Sequence, residues 1–177
     1  MHKEYKVRPL MPGLLGGICV VLGVFGIIYE RDSNYYVVAL MLLIFGVYYF
    51  FRMITRSIVL DEQGITIKMP GNTELIPWNL IIAVYSEKNM NGLRTKVRYA
   101  DNRDVRKRLL ADNIKDIQNP EVASTQMIRL PEKLYEDYRG LVAEIVDHID
   151  GKVFLDEFTA TMARERMYKD GRSFKRD

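Results

Sequence analysis

The sequence predicts a membrane α-helical hairpin followed by a β-rich α+β domain, and three observations carry that reading. Pro9 to Tyr29 is a run of 21 residues without a charged side chain. Ser33 to Phe51 is a second such run, of 19 residues. Beyond Phe51 the chain turns polar, and short alternating apolar segments are separated by Gly, Pro, Asn and Asp. The averages hide this division. With 48% hydrophobic and 28% charged residues, a net charge of +3 and a mean hydropathy of -0.12, they describe an ordinary soluble domain.

A helix rises about 1.5 Å per residue, so about 20 apolar residues cross a hydrocarbon core about 30 Å thick. The predicted spans are residues 11–29 and 35–51, behind a short cytoplasmic flank, residues 1–10. Tyr29, Tyr35 and Tyr36 would sit at one interface and Tyr48 to Phe51 at the other, as aromatic belts do. Glu30 to Asn34 is long enough for a tight hairpin. Lys3, Lys6 and Arg8 also resemble the basic end of a signal peptide. However, the first alanine is Ala39, so no alanine-based cleavage site follows the first run. Lys3, Lys6 and Arg8 precede the spans and Arg52 and Arg56 follow them, whereas the loop holds only Arg31. The bias of Lys and Arg toward the cytoplasmic side predicts a multi-pass protein of the cytoplasmic (inner) membrane with both termini inside.

Gly16, Cys19, Gly23 and Gly26 recur at steps of three, four and three, and Gly13 with Gly17 adds a GxxxG pair. Ala39 and Gly46 form a weaker stripe on the second span. Small residues let helix backbones approach closely in lipid. They serve either packing within the hairpin or docking onto a second copy or another membrane protein, which would make the chain an accessory subunit. Neither span contains an ionisable Asp, Glu, Lys, Arg or His, which argues against a transporter or proton path. One cysteine and two histidines exclude a disulfide framework and a cysteine-based zinc site. No P-loop, GxGxxG or HExxH occurs. No metal, cofactor or catalytic residue is expected.

Residues 52–150 read as a cytoplasmic domain. Strands are predicted at 57–60, 65–69, 73–78, 81–87, 93–100 and 125–130, with turns at Asp61–Gly64, Pro70–Asn72 and Asn91-Gly92. A helix is predicted at 104–117, ended by Asn119-Pro120. Pro131 is expected to open an amphipathic helix whose stripe is Leu134, Tyr138, Leu141, Val142, Ile145 and Ile149. Residues 151–177 add a weaker helix near 154–168 and a charged tail. A curled antiparallel sheet or barrel closed by a C-terminal amphipathic helix is a pleckstrin-homology-like (PH-like) arrangement.

The stretch from Ile58 through Asp61-Glu62-Gln63-Gly64 to Ile65, followed by Ile76-Pro77-Trp78-Asn79-Leu80-Ile81, resembles bacterial membrane-anchored PH-like domain proteins. In that family a D-x-x-G-I hairpin precedes an I-P-W-x-x-I strand behind an N-terminal transmembrane hairpin. The resemblance covers about residues 10–150 and implies a bacterial binding or scaffold module rather than an enzyme. The helix at 104–117 and the tail after Gly151 depart from the pattern.

Arg94, Lys96 and Arg98 alternate on one strand face, and Arg103, Arg106, Lys107 and Arg108 follow, a net +5 from 94 to 108. Each cation near an anionic leaflet contributes about 1 kcal/mol. These seven are the candidate surface for anionic lipid headgroups or a protein partner, against the alternative of a solvated face. Residues 132–157 carry a net -5, so the domain is expected to be dipolar. Nucleic acid is disfavoured because no aromatic residues interleave with the cations as a stacking platform. Trp78, the single tryptophan, reads as a residue fixing sheet against helix rather than a partner anchor. Gly151 and Glu157 mimic half a calcium loop, but Val146 and His148 occupy its first ligand positions. His148 itself is expected to be hydrogen-bonded and partly buried.

Overall fold

The two apolar runs fold as helices α1 (Leu10–Tyr29) and α2 (Tyr35–Ile54) in a computed structural model that describes residues 2–8, 10–29, 35–90, 92–111 and 120–174. Within α2, the 18 residues Tyr35–Arg52 have a mean hydropathy of 1.7 and are long and apolar enough to cross a membrane. Only 11% of that window is buried, unlike the core helix of a soluble domain. The stretch of α1 whose side chains are described, Gly13–Tyr29, is shorter. Among the described residues, one helix therefore meets the length criterion where two were expected. The linker Glu30 to Asn34 lies outside the described residues.

The chain forms two compact units. One comprises Met1–Tyr5, Ile58–Thr66 and Glu74–Asp177, and the other Lys6–Ser57 and Ile67–Thr73. The first four-stranded sheet has the order β1 (Lys3–Lys6), β2 (Ser57–Leu60), β3 (Gly64–Met69), β4 (Asn72–Pro77). Strand β1 was not expected from the flank, although buried Tyr5 and Val7 alternate with polar residues as a strand requires. A 3-10 turn at Trp78–Leu80 then breaks the ladder.

A second sheet begins there, built from β5 (Ile81–Asn89), β6 (Gly92–Tyr99), β7 (Gln126–Pro131) and β8 (Phe154–Leu155) in the order β7-β6-β5-β8. Strands β5, β6 and β7 are antiparallel, and β8 runs parallel to β5. The architecture is thus α+β with two largely antiparallel sheets, and no closed barrel forms among the described residues. Phe154 and Leu155, expected to start a helix, extend the sheet instead.

Helix α3 (Arg103–Ala111) fills the front of the predicted 104–117 helix, while Ile114, Ile117 and Asn119 lie outside the described residues. Pro120 opens a short turn, α4 (Pro120–Ala123), at the first helical position that proline favours. Leu109 and Val122 from these two helices join Ile82, Ala83, Tyr85 and Ala100 in a hydrophobic cluster, with Val105 and Phe154 packed against it. The segment that departs from the PH-like pattern thus covers one face of the second sheet.

Pro131 ends β7 rather than starting the long helix. Glu132–Leu134 make a 3-10 turn, and the chain re-extends at Tyr135 (φ -108°, ψ 142°), whose side chain is fully buried. Helix α5 (Tyr138–His148) starts only after Asp137, whose carboxylate accepts from Gly140 N at 3.0 Å. Its six residues Leu141 to Val146, Glu144 included, are all buried, where a single apolar stripe was expected. Helix α6 (Glu157–Lys169) packs along α5 through a face that includes Met162, Ala163 and Met167.

Candidate functional site

In the helix pair, close approach is written into the sequence. A Cβ on Gly23 would lie 2.7 Å from Leu43 N and 2.8 Å from Ala39 O. One on Gly26 would meet Ala39 Cβ at 2.5 Å, and one on Gly46 would meet Gly16 O at 2.8 Å and Cys19 Cβ at 2.9 Å. All six predicted packing residues, Gly16, Cys19, Gly23, Gly26, Ala39 and Gly46, therefore meet in the α1–α2 interface. Gly17 faces open space. The stripe faces α2 within the chain.

Of the seven predicted cations, Lys96, Arg98 and Arg106 are engaged within the fold. Arg94, Lys96 and Arg98 share the outer face of β6, because Thr95, Val97 and Tyr99 between them are buried. Lys96 is bound to Glu87 (Nζ–Oε1 2.6 Å) and lies 5.5 Å over the Tyr85 ring. Arg98 donates to the carbonyls of Val122, Ala123 and Thr125 at 3.0 to 3.3 Å, and to Tyr85 OH at 3.2 Å. It fastens α4 to the sheet. Arg106 donates to Ile81 O at 3.1 Å and reaches Asp150 at 3.7 Å. Arg103, Lys107 and Arg108 are exposed on α3, with Arg108 3.6 Å from Glu121. Arg94 stands five residues, or roughly 16 Å of strand, before the end of β6.

The motif residues of β2 to β4 interlock. Asp61 Oδ1 accepts from Gln63 N (2.8 Å) and Gly64 N (3.0 Å), which closes the turn. Gly64 has no room for a side chain because Ile76 O presses on that position. Trp78 Nε1 donates to Asp61 O at 2.8 Å, and its ring stacks on His148 with centroids 4.9 Å apart. His148 Nδ1 lies 2.8 Å from Glu144 O, an acceptor only, so Nδ1 carries the proton. Trp78 thus ties a turn to α5.

Two polar assemblies were invisible in the sequence. In the first, Tyr138 OH contacts Thr95 Oγ1 (2.6 Å), which contacts Ser86 Oγ (2.8 Å). Ser86 contacts Thr159 Oγ1 (2.7 Å), which also meets Asp156 Oδ1. The Thr159 hydroxyl donates to Ser86 Oγ and also lies within reach of the Asp156 carboxylate, so one hydroxyl serves both partners. Burial raises the Tyr138 pKa. Asp156 also caps α6 through Thr159 N and binds Ser86 N. The hydroxyl chain pins β5, β6, α5 and α6 together.

In the second, the buried Glu144 accepts from Lys3 Nζ (3.4 Å) and Arg172 Nη1 (3.0 Å) through the same oxygen. Partial burial works against the Lys3 ammonium, but Tyr5 and Glu144 outweigh it and raise its pKa. Arg166 bridges Asp137 and Asp170 nearby. In the acidic stretch 132–157, Asp137, Glu144, Asp147 and Asp150 are thus paired with cations from elsewhere in the unit. The only sequence sign of Glu144 is its place inside Leu141-Val142-Ala143-Glu144-Ile145-Val146.

No family model, no curated protein and no solved structure matches the chain. Function must be argued from the molecule itself. Among the described residues, no three His, Cys, Asp or Glu side chains converge as a metal site. The polar groups brought together in the α+β unit join its elements to one another.

Proposed function

We propose that the protein is a membrane-anchored, non-enzymatic, PH-like binding or scaffold module, held by two spanning helices at the cytoplasmic face of the membrane. The observation that carries this reading is the apolar surface of α1 and α2. Leu14, Phe25, Ile28, Val37, Met41 and Phe45 are all more than half exposed. Burying one such side chain is worth roughly 1.5–3 kcal/mol, so a helix pair that leaves them open is suited to lipid. Their mutual contact uses small residues, as association in lipid does. Lys3, Lys6, Arg8, Arg52 and Arg56 support cytoplasmic termini. The interlocked D-x-x-G-I and I-P-W segments support the PH-like reading.

Such an anchor acts by effective concentration, confining the module to a thin layer beside its partners. Of the seven candidate cations, those offered to a partner are the exposed Arg103, Lys107 and Arg108 of α3. An anionic-lipid-sensing role is the second reading, favoured by the charge of these residues. Alkaline carbonate and high salt should leave the full-length chain in the membrane pellet, whereas release by either would contradict the anchor. A photo-crosslinker at Lys107 in native membranes should give a discrete protein adduct; lipid adducts alone would favour the second reading.

A further inference from the structure

We propose that a cleft at the end of α2 holds the phosphate of an anionic phospholipid, an inference that rests on the membrane-anchor reading. The cleft encloses about 260 Å3 and is lined by Phe45, Tyr48, Tyr49, Arg52, Arg56 and Met69. Phe45 and Tyr49, and likewise Tyr48 and Arg52, are four residues apart, so one face of α2 presents them together. Arg56 follows just beyond, where Thr55 N still donates to Phe51 O at 3.2 Å.

Among the described residues, two guanidinium groups line the cleft and no carboxylate does. Arg52 Nη1 donates to Tyr48 OH at 3.0 Å and its guanidinium lies 5.8 Å over the Tyr48 ring, which orients the fork and leaves its other donors available. Arg56 Nε is buried and has no hydrogen-bond partner among the described residues. A buried donor left unpaired is costly, and a phosphate oxygen would satisfy it. Guanidinium forks match phosphate oxygens in geometry as well as charge.

The shape favours a lipid over a free phosphate. The volume lies just below the about 300–1,000 Å3 of typical small-molecule sites, which suits a headgroup with its chains outside. Phe45 and Tyr48 are each 57% exposed, a surface along which acyl chains can lie. Tyrosine and arginine at the end of an apolar helix also occupy the level of the headgroups.

The test uses the full-length chain reconstituted in phosphatidylcholine vesicles with and without phosphatidylglycerol, followed by native mass spectrometry of the lipid it retains. One phosphatidylglycerol should be retained at least about tenfold better than phosphatidylcholine, a difference of about 1.4 kcal/mol. Arg52→Gln and Arg56→Gln should each cut that preference about fivefold or more, while Lys152→Gln leaves it unchanged. Arg56→Lys, which keeps the charge without the fork, should fall between, and unchanged Trp78 emission shows that each variant is folded. Equal retention of the two lipids, no effect of the arginine variants, or full displacement by soluble glycerol phosphate would overturn the proposal. A chain that enters neither kind of vesicle would instead contradict the anchor, and this site with it.

Discussion

Replacing Arg172 by alanine should loosen both ends of the α+β unit, because the Glu144 carboxylate holds Lys3 of β1 and Arg172 beyond α6 through one oxygen, at 3.4 and 3.0 Å. The Glu144 side chain is 1% exposed and its Oε1 is buried without a hydrogen-bond partner among the described residues. Removing one partner of a buried pair costs about 3–5 kcal/mol, and an exposed pair is worth about 0–1 kcal/mol. Arg172 is 31% exposed and Lys3 39%, so screening places the cost of Arg172→Ala between these limits, at about 1–3 kcal/mol.

The sign of a second substitution is diagnostic. In the Arg172→Ala background, Glu144→Leu removes a buried charge left with Lys3 alone and fills similar volume, so stability should return to within about 1 kcal/mol of the starting protein. Both variants are measured by urea unfolding of the full-length chain in detergent. Trp78 emission is the readout, since its ring stacks on α5 four residues from Glu144. An Arg172→Ala chain as stable as the parent, or a double variant no more stable than Arg172→Ala, would refute the reasoning.

Gly23→Leu drives a side chain into the Ala39 and Leu43 backbone and should cost about 1–3 kcal/mol or more, read as lost crosslinking between cysteines placed on α1 and α2. Gly17→Leu, which meets open space, should leave crosslinking intact. Arg98→Ala removes the donor shared by three carbonyls at the end of α4, of which Val122 O keeps Thr125 N and Oγ1, and should cost about 1–3 kcal/mol. Arg103→Ala, on the exposed edge of α3, should stay within about 0.5 kcal/mol in the same unfolding assay. Alkali should destabilise the fold. Burial, with the hydrogen bond to Glu74 for Tyr99, raises the Tyr99 and Tyr138 phenols. The folded state then keeps protons that the unfolded chain releases near pH 10, so this contribution is intact below about pH 10 and lost above it. Raised Lys3 acts in the same sense. A urea midpoint flat from neutrality to well above pH 10 would contradict this.

Periodicity and composition reveal much of this molecule. The two apolar runs, the alternation in β3 and the Asn91-Gly92 turn signal place elements to within about three residues of the structure. The small-residue stripe is legible because only glycine and alanine allow such backbone proximity, although the sequence does not say which helix fills it. Strand β1 is hidden by its brevity and its basic flank. Pro131 misleads because a proline fits the end of a strand before a turn as well as the start of a helix, and burial of Tyr135 decides between them.

Long-range pairing is the other gap. Three of Arg98's carbonyl partners lie 24 to 27 residues onward, and those of Glu144 lie 141 and 28 residues away. A charge count over a window therefore treats fasteners and open cations alike. The split into two sheets likewise depends on the Trp78–Leu80 turn, of which the sequence shows only a break between strands at 79–80.

The proposed anchor has two spans and puts both ends of the chain on the cytoplasmic side. It is tested most directly by labelling single cysteines, Ser33→Cys or Ser173→Cys in a Cys19→Ala background, with a membrane-impermeant maleimide. The account predicts that position 33 reacts in intact cells and that position 173 reacts only after the membrane is opened. Reaction of position 173 in intact cells, or protection of both positions until lysis, would contradict it.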